Sequence, residues 1–180
     1  MKKALKIIAV ILVALFIFGY WYQWRYSMGE ADPIMINSST LDNKLLVATQ
    51  QSEYKDEITK KITDHFIGKD IFISVVDVTK LEKISRSHFD AFVIIHTNER
   101  WRPPYEVKVF LDETKDSNNI FLVSTSGEGD LITEGIDGIT SASELIDVQE
   151  DVDTTINWIS DFFNLKMTKK ASEAKTVAVE

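Results

Sequence analysis

The sequence predicts an α/β domain with a parallel sheet covered by helices on both faces, carried behind an apolar N-terminal helix. Short apolar runs alternate with helical stripes from residue 44 onward, the pattern of strand–helix–strand units. The run "AFVIIHT" at 91–97 is unbroken, as expected of a strand buried on both faces. Ahead of these elements, every residue from Ile7 to Tyr22 is apolar or aromatic apart from Gly19.

That first run, extended by Ala4, Leu5 and Trp24, gives about 20 residues, enough to cross roughly 30 Å of hydrocarbon as a helix. Tyr20, Trp21, Tyr22, Trp24 and Tyr26 gather at its far end, where amphipathic rings favour the membrane–water interface. Lys2, Lys3 and Lys6 outweigh Arg25, so the N-terminus is expected in the cytoplasm and the remainder outside the inner membrane. The rival reading is a cleaved signal peptide, with "GEA" at Gly29–Ala31 as the cleavage signal. The length of the run, Arg25 and the bulky aromatics at the junction favour an uncleaved single-pass anchor over residues 1–26.

Residues 27–43 are polar and turn-rich and read as a linker. The domain then spans 44–164. Leu45–Ala48 is its first strand, and Tyr54, Ile58, Ile62 and Phe66, spaced by four, mark the apolar stripe of a helix with Ser52 or Thr49 as N-cap. "DIFISVVDV" at 70–78 is the second strand, followed by a short helical or irregular crossover. After the third strand at 91–97, Pro103 and Pro104 lead a helix whose core residues are Val107, Phe110 and Leu111. Residues 118–125 form the fourth strand and a short stretch around Gly138–Ser141 the fifth. A last helix buries Val152, Ile156, Ile159 and Phe163, and the tail 165–180 reads as disordered.

Composition narrows the function. The chain has 180 residues, suited to one domain plus attachments. From residue 26 onward 16 basic residues face 28 acidic ones, a net charge of −12 that repels phosphate backbones, so no nucleic-acid partner is expected. Cysteine is absent, which excludes disulfides, thiolate catalysis and cysteine-based metal sites.

The passages "FDAFVIIHTNERWRPPYEVKVFLDE" (89–113) and "NIFLVSTSGEGD" (119–130) resemble the flavodoxins and related FMN-dependent quinone reductases. The resemblance covers residues 44–164 and implies a three-layer, doubly wound, five-stranded parallel sheet of order 2-1-3-4-5. Ligands would then bind at the carboxyl ends of strands 1, 3 and 4. It further implies that Thr49, Gln50, Gln51 and Ser52 cradle an FMN phosphate. Thr97, Asn98 and Trp101, with Ser126, Gly127 and Gly129, would surround the isoalloxazine ring. The first of these loops departs from the pattern. "ATQQSEYK" has no glycine to let backbone amides close on a phosphate, and Glu53 in the first helical turn repels a dianion.

Other chemistry is sparse. His65 and His88 read as surface or structural residues, while His96 ends the third strand near the ligand rim. Glu128 and Asp130 are two carboxylates on a turn, more simply read as solvated than as a cation site. Arg100 and Arg102 make the loop around Trp101 locally basic, and no base–nucleophile pair is evident. Two expectations follow. The first is a non-catalytic membrane-tethered module that binds a protein partner or an anionic ligand at a rim of residues 49–53, 96–104 and 124–130, with the bilayer engaged through residues 4–24. The second is an FMN-binding electron carrier or FMN-dependent oxidoreductase at the same membrane.

Overall fold

The computed structural model describes residues 2–26, 29–114, 118–127, 129–130 and 133–177. Its sheet has six strands: β1 (Ile34–Ile36), β2 (Lys44–Thr49), β3 (Phe72–Asp77), β4 (Ala91–Thr97), β5 (Ile120–Thr125) and β6 (Asp137–Ser141). The helices are α1 (Lys2–Tyr26), α2 (Glu53–Phe66), α3 (Tyr105–Asp112) and α4 (Val148–Val177). The spatial order is β1-β3-β2-β4-β5-β6. All pairings are parallel except β1 with β3.

The expected five-stranded sheet is thus corrected in count and order by an antiparallel edge strand drawn from the stretch read as linker. Ile34, Met35 and Ile36 pair with Val75, Ser74 and Ile73 and cover what would otherwise be the open edge of β3. Three residues are too few to show a period, so this strand left no pattern in the sequence. The five parallel strands, β3-β2-β4-β5-β6, are arranged among themselves in the flavodoxin-like order.

Alternation along the strands divides the core into two layers. Leu45, Val47, Ile73, Val75, Val93 and Ile95 pack with Tyr54, Ile58, Ile62 and Phe66 of α2 and with Val148, Val152, Ile159 and Phe163 of α4. On the opposite face Leu46, Ala48, Phe92, Ile94 and Leu122 meet Val107, Phe110 and Leu111 of α3 and Val78 and Leu81 of a 3-10 turn. Burying an aliphatic side chain of this size contributes about 1.5–3 kcal/mol. This core therefore fixes the sheet and, with it, the ends of its strands.

α4 runs to Val177, where the sequence reading expects a disordered tail from 165. The Lys-, Ala- and Glu-rich segment has good helix propensity. Lys166 also ties it down through Asp90 (2.7 Å) and the Asp42 carbonyl (3.3 Å). In α1 the described side chains from Lys6 to Tyr22 are exposed. Among the described residues no helix is long and apolar enough to cross a membrane.

Candidate functional site

Parallel strands place all their carboxyl ends on one edge, so the loops after β2, β4, β5 and β6 converge there. The β2 exit is short. Thr49 is buried, and its hydroxyl donates to the Gln50 carbonyl (3.3 Å). Gln50 reaches across to β4, where its Oε1 accepts the Thr97 N–H (2.8 Å). The Gln51 N–H donates to the carbonyl of Gly29 (3.3 Å), so the segment leading in from α1 lies on this loop. Two further bonds hold that segment: Ala31 N–H to Asp77 Oδ2 (2.8 Å) and Lys80 to Glu30 (3.0 Å). Ser52 is the N-cap of α2, its Oγ accepting from Lys55 N (3.3 Å).

The β4 and β5 exits are stitched to each other. Thr97 and Thr125 hydroxyls bond at 2.7 Å, and Asn98 N–H donates to the Thr125 carbonyl (2.7 Å). Ser126 N–H donates to the Ser141 carbonyl, and its Oγ accepts from Gly129 N (2.9 Å). Gly129 has φ +69°, and a Cβ there would lie 2.8 Å from Ala142 N, so a side chain is excluded. Gly127 faces open space and carries no such requirement. Glu128, considered as half of a cation site, lies outside the described residues. Among those described, no cluster of three metal-ligating side chains exists.

Trp101 stands apart from this web. Glu99 and Arg102 pair as an antiparallel bridge, with N···O distances of 2.9 and 3.1 Å, around a two-residue turn. Arg100 and Trp101 hold that turn with φ of 50° and 68°. Such turns ordinarily use Asn-Gly, because a left-handed residue bearing a Cβ costs about 1–2 kcal/mol. The turn presents Trp101 at 71% exposure. An open cleft of about 680 Å³ lies beside it, lined by Gln50, Glu99, Arg100, Arg102, Pro103 and Pro104.

Beneath the rim sit groups that sequence reasoning missed or misjudged. His96 is fully buried rather than rim-facing, and among the described residues neither ring nitrogen has a hydrogen-bond partner. Burial pulls its pKa down to about 4; the Asn98 side chain opposes the shift and Lys55 adds to it, so the ring is neutral at pH 7. Ser124 pairs with His96 across the strands, and no hydrogen bond joins the His96 ring to it. Lys55 is buried at the α2 N-terminus, and desolvation lowers its pKa to about 8 against the pull of Asp56 and Glu99. Tyr54 donates its hydroxyl to Asp151 of α4, and burial together with that carboxylate raises the phenol well above its usual range. No spacing in the sequence signals a contact across 97 residues. His65 and His88 lie away from this rim, His65 exposed beside Lys69 and His88 in a 3-10 turn before β4.

Of the residues assigned to the site, Gln50, Thr97 and Asn98 are joined with Thr125 into one network, while Ser126 bonds to Gly129 and Ser141. Thr49 turns inward, Gln51 meets the incoming chain, and Trp101 projects. Neither a protein-family model nor a curated protein matches the chain. Among solved structures it is similar to a flavodoxin from the domain Archaea, at 12% identity and TM-score 0.41 over 66% of this chain and 98% of that one. It is likewise similar to general stress protein 14 of Treponema denticola in complex with FMN, at 13% identity and TM-score 0.43 over 67% and 99%. A third is an oxidoreductase of Corynebacterium diphtheriae, at 13% identity and TM-score 0.41 over 67% and 96%. The strand order, rather than these distant likenesses, carries the description of the fold as flavodoxin-like.

Proposed function

We propose that this chain is a single-pass, membrane-tethered flavodoxin-like domain whose carboxyl rim is a non-catalytic binding surface outside the cytoplasm. The observation that carries the reading is the self-occupation of the rim. The Gln51 amide, at the position of a phosphate cradle, is taken by Gly29, and the Thr97 amide is taken by Gln50. The residues present therefore do not fit an FMN phosphate. Support for the tether comes from the helix Lys2–Tyr26, whose stretch from Ile7 to Tyr22 holds no charge, and from the lysines at its start.

A second reading, an FMN-binding electron carrier or reductase, is favoured by one observation: the cleft beside Trp101 has room and two arginines for a planar anionic ligand. It requires release of Gly29 from Gln51. Flavin titration of the purified full chain separates the two. Saturable quenching of FMN fluorescence near about 1 µM supports the carrier, and its absence supports the binding module. The tether is tested by carbonate extraction and by a C-terminal reporter active only outside the cytoplasm. Release of the protein into the soluble fraction, or an inactive reporter on an intact fusion, contradicts the placement.

A further inference from the structure

We infer that the carboxyl rim docks on the bilayer surface itself, with Trp101, Leu145 and Ile146 at the interface and Arg100 and Arg102 on headgroup phosphates. The inference rests on the tether proposed above and names the partner of that same rim.

The chain enters the domain at this edge. Only three Cα steps, at most roughly 11 Å, separate the end of α1 at Tyr26 from Gly29. Gly29, Glu30 and Ala31 are then fastened to Gln51, Lys80 and Asp77, so the edge that carries the rim faces whatever α1 is embedded in. The opposite edge of the sheet lies a full strand length farther away.

Four of the large exposed apolar or aromatic side chains outside α1 gather at the same edge. Trp101 (71% exposed) and Tyr105 (70%) follow β4, and Leu145 (54%) and Ile146 (84%) follow β6. Between the attachment at β3 and the tips after β6 lie four strand spacings of about 4.8 Å, so the contacts form a line roughly 20 Å long. Trp101 projects from a turn that spends backbone strain on two left-handed residues to hold it out. Tryptophan and tyrosine favour the headgroup level, and the guanidinium fork suits a phosphate. Among the described residues Arg100 and Arg102 have no ion-pair partner.

Charge sets the depth. Glu53, Glu99, Asp130 and Glu144 are exposed at this edge, so a deep or purely electrostatic attachment is disfavoured. Contact is shallow and uses the phosphate of a zwitterionic headgroup. The tether makes it an intramolecular event, in which a weak surface acquires a high effective concentration.

The absence of cysteine allows a direct test on the full chain. Single variants Trp101→Cys, Ile146→Cys, Ser87→Cys and Ala14→Cys are labelled with an environment-sensitive fluorophore and placed in phosphatidylcholine nanodiscs, with shallow brominated lipid as quencher. Ser87 marks the opposite edge and Ala14 the middle of α1, and the Ile146 label reads the contact with Trp101 intact. The labels at 101 and 146 are expected to shift to the blue and be quenched about twofold more than the label at 87. If both match the label at 87 while the label at 14 is lipid-shielded, the tether stands and the docking is wrong. Solvent-like emission from the label at 14 overturns the tether and the docking together. Shielding at 101 that appears without lipid, or only when a second protein is added, assigns the surface to protein and also overturns the docking.

Discussion

The two edges of the sheet are built on opposite plans. At the amino edge polar side chains turn inward to close loops. Asn37 Nδ2 reaches the carbonyls of Phe66 (2.8 Å), Lys69 (3.2 Å) and Ile71 (2.7 Å), while its Oδ1 accepts Gly68 N–H (2.8 Å). Asp90 accepts Lys44 N–H and pairs with Lys166, and Asn119 caps the Asp90 carbonyl (2.9 Å). At the carboxyl edge the Gln51, Thr97, Asn98 and Ser126 amides are bonded as well, but Trp101, Tyr105, Leu145 and Ile146 are exposed. The amino edge spends its polar groups on stability and leaves Ile67 exposed, whereas the carboxyl edge leaves four large apolar or aromatic side chains uncovered. Exposed apolar side chains clustered on one edge mark a surface built to meet something.

The contrast can be broken most severely at Asn37. Replacing it by alanine removes the four bonds that its side chain makes to the amino-edge loop and places a Cβ residue without compensation at φ 64°. A loss of about 2–4 kcal/mol is expected in denaturant unfolding. Asn37→Gly relieves the backbone but not the lost bonds, so it should stay well below the wild type.

Beneath the carboxyl edge, His96 provides a signature in pH. Its folded pKa of about 4 lies below its ordinary 6.5, so the unfolded chain takes up a proton that the folded one refuses. That contribution is complete above about pH 6.5 and is lost as pH falls towards 4, a difference of about 3 kcal/mol. His96→Leu should flatten this part of the stability–pH profile, and an unchanged slope would show that the ring is not held neutral.

Tyr54→Phe is expected to cost about 1–3 kcal/mol, because Asp151 loses the hydroxyl that satisfies it in a buried site. Since the phenol is raised in the folded state, its stabilisation is present below pH 10 and lost above it. The variant should lack that alkaline loss. The smallest effect has the opposite sign. Arg100→Gly or Trp101→Gly relieves a left-handed residue and should stabilise by up to about 1 kcal/mol in thermal unfolding. A turn that loses stability on these changes would show that Trp101 is held by packing rather than displayed.

Much of the fold was legible because burial writes a period. The β4 run 91–97, the α2 stripe at 54, 58, 62 and 66, and the Pro-led α3 with Val107, Phe110 and Leu111 all match the structure. β1 was not legible, since three residues carry no period, and neither was the helical extension beyond 164, which owes its order to propensity and to Lys166. At the rim, Gln50, Thr97, Asn98 and Ser126 follow the strands from which the sequence reading has them emerge. That reading could not show that Gln50 bonds to Thr97, that Gly29 returns to Gln51, or that His96 is buried. Those are contacts between distant positions, and no local spacing encodes them.

The central claim, that the rim is sealed by the chain's own groups, is tested most directly by hydrogen exchange of two backbone amides in the full chain, with and without FMN. If the account is right, Gln51 and Thr97 are protected at least about tenfold over Gly127 of the exposed turn, and added FMN changes neither. Exchange of both amides at the rate of Gly127, with protection appearing only when FMN is added, would contradict it.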